Sequence, residues 1–384
     1  MTISFQSILD AETRIGPYKI VTPLLTSDRL NQKLPFDLFV KADCLQRTGS
    51  FKFRGACNAV FSLGVSNRPI LAYSSGNHAQ AVALAARLSG RKATIVMPED
   101  APLAKIEGTR SYGADVVLYD RYTQSREEIG AKLAKEQSAE LIPPYDDERV
   151  IAGQGTAGLE ITQQLNSLER ELDMFFCCCG GGGLMAGTAL ALSEHFRQAK
   201  LYTVEPDGLD DTARSLAAGK RQTNDPSARS ICDAIVTPSP GLLTFPILQS
   251  KAAGGKVVTD EEALSAMKTA WDYFKLTVEP GGAVALAASL KQEVIASHTG
   301  DKRTKGNMDM ELALDMLKLA PHLDHAVLFS GDGDFCRLLE EVQGKGVRVT
   351  VVSSIKTHML SDALRRKADE FLELDEIVAS IARQ

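Results

Sequence analysis

The sequence lacks the features that would assign it to several specialised classes of protein. Its 384 residues carry 43 Lys and Arg against 49 Asp and Glu, so no excess of positive charge favours a nucleic-acid partner. No apolar run approaches the ~20 residues of a membrane-spanning helix, and the chain does not open on a basic segment followed by an apolar one. We therefore expect a cytoplasmic protein without a membrane segment, and we do not expect nucleic acid among its partners.

Cysteines are present, but their spacing does not indicate disulfide bonds or a zinc site. The seven cysteines include three consecutive ones, at positions 177 to 179, inside the apolar run FFCCC. This spacing is typical neither of a disulfide framework nor of a zinc site. We expect these three side chains to be small apolar fillers of a buried strand.

Short apolar runs alternate with helical stretches from about residue 70. The runs ILAYSS, ATIVMPE and DVVLYD each precede a stretch with helical periodicity, and DMFFCCC and LYTVE continue the alternation. This order predicts an α/β fold with open parallel sheets covered by helices. A polar stretch after residue 297 predicts a boundary between an α/β body over 1–297 and a small α/β segment over 298–384.

Lys52 lies between two phenylalanines, Phe51 and Phe53, at the start of a helical run. A lysine in a partly apolar pocket loses its proton more easily than one in water, and it can form a Schiff base with a carbonyl group. Lys52 is therefore a candidate covalent catalyst. The alternative for any single lysine is a solvated position on a helix face.

A polar loop, Ser74-Ser75-Gly76-Asn77-His78, connects the apolar run ILAY to a helical stretch. A helix that follows a parallel strand presents free N–H groups at its first turn, and these suit a carboxylate. Serine and asparagine also cap helices, so a purely structural role stays open at this point.

A glycine loop connects a later apolar run to the helical stretch that begins at Leu184, and it consists of Gly180, Gly181, Gly182 and Gly183. Without side chains in the way, several backbone N–H groups can converge on a phosphate. The kind of phosphate stays open, because these glycines together with Glu205 further on also satisfy a loose dinucleotide-binding pattern.

The order and spacing of these three segments resemble those of the fold-type II pyridoxal 5'-phosphate (PLP) enzymes, specifically the threonine/serine dehydratase and serine racemase family, over residues 1–297. Further matching stretches are Thr22-Pro23-Leu24, Lys41-Ala42-Asp43, Arg229-Ser230-Ile231-Cys232-Asp233-Ala234, Pro238-Ser239-Pro240-Gly241 and Glu279-Pro280-Gly281-Gly282-Ala283. The resemblance implies a two-lobed fold, similar to that of the tryptophan synthase β-subunit, with a smaller lobe at about 40–150 and PLP between the lobes. It also implies a homodimer.

The resemblance implies roles for single positions around the cofactor. It implies that Lys52 carries PLP as an aldimine, that Asn77 faces the hydroxyl group of PLP, and that the glycine loop holds its phosphate. The other positions that we expect at the cofactor are Phe51, Leu184 and Glu279.

The resemblance also implies a site for the substrate carboxylate. This site is the polar loop of Ser74, Ser75, Gly76, Asn77 and His78. In racemase-like members the second serine, here Ser75, is the base on the face opposite the lysine. Binding of the carboxylate alone is the alternative role for Ser75.

The activity implied by the resemblance is that of a PLP-dependent ammonia-lyase. Lys52 would remove the α-proton of a small hydroxy amino acid, with threonine or serine as the first candidates, and α,β-elimination would yield a keto acid and ammonia. Arg126 could reach a substrate carboxylate. The alternatives are a serine or hydroxyaspartate racemase/dehydratase, and a nicotinamide oxidoreductase that uses the glycine loop.

An acidic segment after the run LYTVE resembles the divalent-cation loop of the racemase-type members. The ligands map to Glu205, the carbonyl of Leu209, and Asp211. Such oxygen ligands suit Mg²⁺ or another cation such as Ca²⁺. An acidic surface turn is the alternative.

The chain departs from the family pattern after residue 297, where the closing strand and its Ser-Gly-Gly-Asn turn are missing. Residues ~302–384 instead resemble a truncated NYN (PIN-like) domain. In that family clustered aspartates hold Mg²⁺ for phosphodiester cleavage, and the matching positions are Asp309, Asp315, Asp332 and Asp334.

The opening strand of the NYN domain has no counterpart here, so we do not expect a complete nuclease site. A catalytically impaired fusion with a ribonuclease-like tail is a further alternative. The run HAVLFS followed by Ser330-Gly331 has the order of the missing strand and turn. This order predicts that Ser330 faces the nitrogen of PLP.

Overall fold

The computed structural model describes residues 3–297, 312–313, 316–317, 319–354, 361–374 and 377. Asp309 and Asp315 of the expected NYN cluster lie outside these residues. The chain divides into two compact units, Met1–Thr299 and Gly300–Gln384, and each is described by itself.

The strands of the first unit form two parallel sheets and one antiparallel pair. They are β1 (Leu24–Thr26), β2 (Phe39–Lys41), β3 (Ile70–Tyr73), β4 (Ala93–Pro98), β5 (Asp115–Tyr119), β6 (Glu140–Leu141), β7 (Met174–Cys178), β8 (Lys200–Pro206) and β9 (Gly254–Val258). The sheets have the strand orders β5-β4-β3-β6 and β7-β8-β9, and β1 pairs with β2. The predicted α/β fold with open parallel sheets is confirmed.

Helices follow most of these strands, as crossover connections between parallel strands require. They are α1 (Phe5–Ile15), α2 (Asp28–Asn31), α3 (Lys52–Phe61), α4 (Asn77–Leu88), α5 (Leu103–Ser111), α6 (Arg126–Glu136), α7 (Glu148–Ser167), α8 (Gly183–His195), α9 (Asp211–Ala218), α10 (Thr244–Lys251), α11 (Asp260–Thr269) and α12 (Pro280–Ser297). Short 3₁₀ turns cover Asp43–Leu45, Arg47–Gly49 and Asp233–Ile235, and a π-helical turn covers Ala270–Phe274.

Strand β4 is buried on both faces. All six of its residues, ATIVMP, are buried, as expected for a continuous apolar run in a central strand of a parallel sheet that helices cover on both sides. The polar residues that follow β3 and β7 then lie at the carboxyl ends of the strands, where α4 and α8 begin. This edge of each sheet holds the candidate site.

Glycines let α7 pack closely against its neighbours. A Cβ atom at Gly153 would lie 2.6 Å from the carbonyl oxygen of Arg54 in α3, and one at Gly158 would lie 2.8 Å from the Cβ of Ala191 in α8. Side chains larger than hydrogen would separate these helices. The segment AGQGTAG therefore brings the backbones of α3, α7 and α8 together.

A buried cluster of charges joins α3 to α7. The guanidinium of Arg54, which is 0% exposed, donates to Asp43 at 2.8 Å and to the two oxygens of Glu160 at 2.7 and 2.9 Å. Lys19 and Lys41 donate to the same carboxylate of Glu160 at 2.5 and 2.7 Å. Although burial alone would raise the pKa of Glu160, hydrogen bonds from Arg54 hold it at about 2. Because Arg54 lies two residues after Lys52, this cluster fixes the first turn of α3.

We expect the substitution Arg54→Met to destabilise the chain by about 3 to 5 kcal/mol, because it leaves two carboxylates without their principal buried partner. Urea unfolding followed by circular dichroism measures this loss. The matched control is Arg170→Met, since Arg170 and Asp37 form an ion pair at 3.3 Å in which both side chains are more than half exposed. Its loss should stay below about 1 kcal/mol, and equal losses for the two variants would contradict the role of Arg54.

The second unit contains a three-stranded parallel sheet with the order β10-β11-β12. Its described elements are β10 (His325–Phe329), α13 (Cys336–Gln343), β11 (Arg348–Ser353), α14 (Asp362–Lys367) and β12 (Glu370–Glu373), with 3₁₀ turns at Ala320–His322 and Gly333–Phe335. Leu328, Leu339, Val349, Val351 and Leu364 belong to its own apolar core. In the described parts of both units, no helix is long and apolar enough to cross a bilayer.

Candidate functional site

A cavity of about 130 Å³ in the first unit collects the three segments that the sequence singled out. It is lined by Phe51 and Lys52 at the start of α3, by residues 73–78 between β3 and α4, and by residues 178–184 between β7 and α8. Residues 144–145 and 233–238 complete the described wall together with Lys105 and Arg126. Parts of the chain that are far apart in sequence thus surround one lysine.

The amine of Lys52 is enclosed by this wall. Its Nζ donates a hydrogen bond to the carbonyl oxygen of Pro144 at 2.9 Å and lies 5.2 Å from the centre of the Phe51 ring. Removal from water lowers the pKa of Lys52 to about 8, although Cys178 and Glu279 favour the charged amine. A neutral amine is therefore accessible near neutral pH, and a neutral amine is the form that bonds to an aldehyde or removes a proton.

The polar loop places the start of α4 at the cavity. Gly76 precedes the first residue of the helix, and its N–H donates to the Oγ of Ser74 at 3.1 Å. Ser75 also lines the cavity, on the same wall as Ser74. A Cβ atom at Gly76 would lie 2.9 Å from the Nζ of Lys105, so this amine lies directly over the loop. A helix amino terminus and a cation together suit a carboxylate.

His78 faces the cavity as a neutral ring. Its Nε2 lies 2.9 Å from the carbonyl oxygen of Ile142, which only accepts hydrogen bonds, so Nε2 carries the proton. Burial, followed by the charge of Lys52, lowers the pKa of His78 to about 3. Nδ1 therefore has a lone pair, not a proton, and the ring cannot donate to a carboxylate. The backbone N–H is the group of His78 that can serve the predicted carboxylate site.

Asn77 and Glu279 contact each other beside the cavity. The Nδ2 of Asn77 donates to Glu279 Oε1 at 2.5 Å, and Lys105 Nζ lies 3.6 Å from Glu279 Oε2. Glu279 precedes the first residue of α12 and reaches the first turn of α4. The roles of Asn77 at the PLP hydroxyl and of Glu279 at the cofactor stay predictions.

The glycine loop has the shape of a phosphate cradle. Gly182 has a φ of +92°, a backbone conformation that residues other than glycine rarely adopt. A Cβ atom at Gly181 would collide with the ring of Tyr145. The Thr244 hydroxyl donates to the carbonyl oxygen of Gly181 at 2.7 Å, which fixes the loop from outside. The first residues of α8, Gly183 and Leu184, line the cavity, and the first N–H groups of a helix have no partner within the helix. These residues fit the phosphate of PLP, with the Lys52 amine in the same cavity to bond its aldehyde.

Several residues that line the cavity were not assigned to the site from the sequence, or were assigned only weakly. Arg126 lies at the start of α6, with its guanidinium 5.3 Å from the centre of the Tyr73 ring. Lys105, Tyr145 and Cys178 were missed. Cys178 was expected to fill a buried strand together with its two neighbours. Cys177 and Cys179 are buried, and Cys178 is partly buried against the apolar core, as predicted; Cys178 and Cys179 also line the cavity.

Two buried carboxylates lie at the predicted cation loop. The carboxylate of Glu205 lies near the amino terminus of α9. It accepts hydrogen bonds from the N–H groups of Thr212 and Ala213 at 2.9 and 2.7 Å. Asp211 accepts from Asn224 at 2.5 Å through Oδ1, whereas its buried Oδ2 has no partner among the described residues. Burial, with repulsion from Asp211, raises the pKa of Glu205 to about 8, and burial raises that of Asp211 to about 6. An orphaned oxygen and two carboxyls that repel each other fit a divalent cation.

Ser330 belongs to the second unit and directly follows β10. Its Oγ accepts from the N–H of Asp332 at 3.2 Å, and Asp332 in turn accepts from the N–H of Asp334 at 2.9 Å. Asp332 and Asp334 thus form a local turn. In the described parts of the chain, no three His, Cys, Asp or Glu side chains form a metal-binding group. The position of Ser330 at the PLP nitrogen stays a prediction.

Comparisons with known proteins define the class to which the first unit belongs. Residues 15–304 match the family described as "Pyridoxal-phosphate dependent enzyme", and residues 281–375 match the NYN domain. The chain belongs to the family of PLP-dependent enzymes, and PLP is its cofactor. The NYN match begins within α12, earlier than the start at ~302 expected from the sequence.

Two curated proteins and two solved structures are similar to this chain over most of its length. The chain is 41% identical to the L-threo-3-hydroxyaspartate ammonia-lyase of Saccharomyces cerevisiae, over 80% of this chain and 94% of the relative. It is 40% identical to the serine racemase of Dictyostelium discoideum, over 76% and 90%. Among solved structures, the maize serine racemase matches with a TM-score of 0.73 and 35% identity, over 83% of this chain and 99% of that one. A threonine deaminase from T.th. matches with a TM-score of 0.72 and 43% identity, over 76% and 94%.

Proposed function

We propose that this chain is a PLP-dependent ammonia-lyase that converts a small hydroxy amino acid to a keto acid and ammonia. The observation that carries the proposal is the presence, in one cavity, of the Lys52 amine, the amino terminus of α4 and the glycine loop. PLP supplies an electron sink at the carbon that loses its proton. The residues of the chain then bind, orient and move protons around that carbon.

Each segment has one task in this proposal. The backbone N–H groups of the Ser74–His78 loop, with Lys105 above them, hold the α-carboxylate and so fix the direction of the Cα–H bond. The neutral amine of Lys52 removes the α-proton and holds it at Nζ while the β-hydroxyl leaves. Burial of the amine supports this role, because it lowers the pKa of Lys52 to about 8.

We further propose that 3-hydroxyaspartate is accepted beside threonine and serine, the first candidates from the sequence. Arg126 lines the cavity; its Nε donates to Glu127 at 2.8 Å, and we propose that the other N–H groups of the guanidinium bind a second carboxylate. The relatives support this substrate as well, since hydroxyaspartate ammonia-lyases align over nearly their whole length, 94% in Saccharomyces cerevisiae and 98% in Pseudomonas sp. An acidic β-substituent would be neutralised by a cation that a hydroxyl or methyl group does not need.

The test is release of keto acid and ammonia from L-threo-3-hydroxyaspartate, L-serine and L-threonine, measured with the full chain. We expect at least one of them to be converted and Lys52→Ala to convert none. The variant Arg126→Gln should lower kcat/KM for 3-hydroxyaspartate about 10- to 100-fold, the size of one lost hydrogen bond to a charged group, with a much smaller effect on serine.

The matched control is Arg121→Gln, since Arg121 pairs with Asp100 at 2.8 Å outside the described wall of the cavity. This control should leave the preference among the three substrates unchanged. An equal loss for serine and 3-hydroxyaspartate in Arg126→Gln would contradict the assignment of Arg126. A chain that releases no keto acid from any substrate would contradict the lyase.

A racemase activity is the second candidate, because Ser75 shares the cavity with Lys52. A hydroxyl group and an amine at the same carbon would allow a proton to leave on one face and return on the other. In this reading Ser75→Ala abolishes the formation of D-serine and retains the release of keto acid.

We keep the homodimer implied by the resemblance as part of the proposal, and sedimentation of the full chain tests it.

We also propose that Glu205, the carbonyl of Leu209 and Asp211 hold Mg²⁺ or Ca²⁺. Without a cation, the raised pKa of Glu205 favours its neutral form in the folded chain. The stability that Glu205 contributes is then fully present below its ordinary pKa and is lost as the pH rises through about 8. A bound cation requires the ionised carboxylates and reverses this loss.

We therefore expect the rise in Tm on addition of Mg²⁺ or Ca²⁺ to be small at about pH 5 and larger at about pH 8, because the carboxyls must be ionised to bind. Thermal unfolding with and without a chelator measures it. Asp211→Asn should remove the effect, whereas Asp207→Asn, at an exposed neighbouring carboxylate, should keep it. A cation effect that is independent of pH, or that persists in Asp211→Asn, would exclude this site.

A further inference from the structure

The Nδ1 atom of His78 carries a lone pair that no group in the described residues uses. His78 is 2% exposed, its Nε2–H is committed to the carbonyl oxygen of Ile142, and its buried Nδ1 has no partner among the described residues. A buried acceptor without a donor destabilises the folded chain, so an unpaired acceptor beside a cavity suggests a donor that arrives there. His78 lines the same cavity as Lys52.

Lys52 and His78 are anchored to the same short piece of chain. Lys52 Nζ donates to the carbonyl oxygen of Pro144, and His78 Nε2 donates to that of Ile142, two residues earlier. The charge of Lys52 also acts on His78 strongly enough to contribute to the lowering of its pKa. The amine and the imidazole thus hydrogen-bond to the same short segment, residues 142–144, and line the same cavity.

The free amine of Lys52 needs acceptors when it becomes charged. An ammonium group has three N–H donors, and Pro144 satisfies one of them. Cys178 and Glu279 favour the charged form from other sides of the cavity, and Asp147 acts on the histidine from the start of α7. A lone pair beside the amine would satisfy a second donor without adding a charge.

We propose that Nδ1 of His78 accepts a hydrogen bond from the Lys52 amine and so aims it at the substrate carbon. This role rests on the function proposed above, in which Lys52 removes the α-proton. His78 is a positioning residue, since it acts through Lys52. It never takes the proton, which passes from the substrate carbon to Nζ and stays there, because the pKa of His78 is too low for the ring to become charged.

Two amide substitutions separate the nitrogens of His78. In His78→Gln the side-chain amide nitrogen reaches the position of Nε2 and keeps the bond to Ile142, but no acceptor remains at Nδ1. In His78→Asn the amide oxygen takes the place of Nδ1, and the bond to Ile142 is lost. The measurement is the pH dependence of the rate at which Lys52 of the full chain takes up PLP, followed by visible absorption, together with thermal unfolding.

In His78→Gln we expect the midpoint of this rate profile to move about one pH unit lower, because the charged amine loses a hydrogen bond, while the Tm stays near that of the unmodified chain. In His78→Asn we expect a nearly unchanged midpoint and a lower Tm. A purely structural role for His78 would lower the Tm and leave both midpoints in place. Unchanged midpoints in two folded variants would overturn the proposal.

A second measurement needs no substitution of His78. The ¹⁵N resonance of Nδ1 in the PLP-free full chain should shift when Lys52→Ala removes the donor amine, whereas the resonance of Nε2, bonded to Ile142, should not. Identical Nδ1 resonances in the two proteins would overturn the proposal even if the His78 variants fail to fold. If PLP is not taken up by Lys52 in the unmodified chain, the proposed function has failed, which is a separate result.

Discussion

The amine of Lys52 is removed from water, and the rest of the site depends on this constraint. Burial disfavours the ammonium form and brings the pKa of Lys52 to about 8, so that the amine is reactive near neutral pH. Segments that are far apart in sequence line the cavity around this amine. In the proposed function the glycine loop receives the cofactor phosphate, and the start of α4 lines the same cavity.

The buried cluster of charges around Arg54 holds the start of α3, and with it Lys52, in place. Arg54, two residues further along α3, is held by Asp43 and Glu160, and Glu160 lies in the middle of the long helix α7. The close approach of α3 to α7 requires the small residues of the segment AGQGTAG, because a Cβ atom at Gly153 would meet the backbone of α3. Packing and charge together therefore orient the first turn of α3.

The sequence predicts the parts of the site that are local in the chain. Lys52, the Ser74–His78 loop and the glycine loop are contiguous motifs, and their places at strand and helix ends follow from the α/β alternation. Contacts between distant segments were not predictable in this way. Lys105 reaches the polar loop from α5, and the tautomer of His78 depends on Ile142, 64 residues away. Cys178 packs in the core as the sequence predicted, but its additional place in the wall of the cavity depends on tertiary contacts that the strand pattern does not contain.

The most direct test of the central claim is reduction of the PLP-loaded chain with borohydride, followed by digestion and mass spectrometry of the peptides. The account predicts one covalent pyridoxyl phosphate group, on the peptide that contains Lys52. A label on Lys105, the other lysine in the described wall of the cavity, or no label at all, would contradict it.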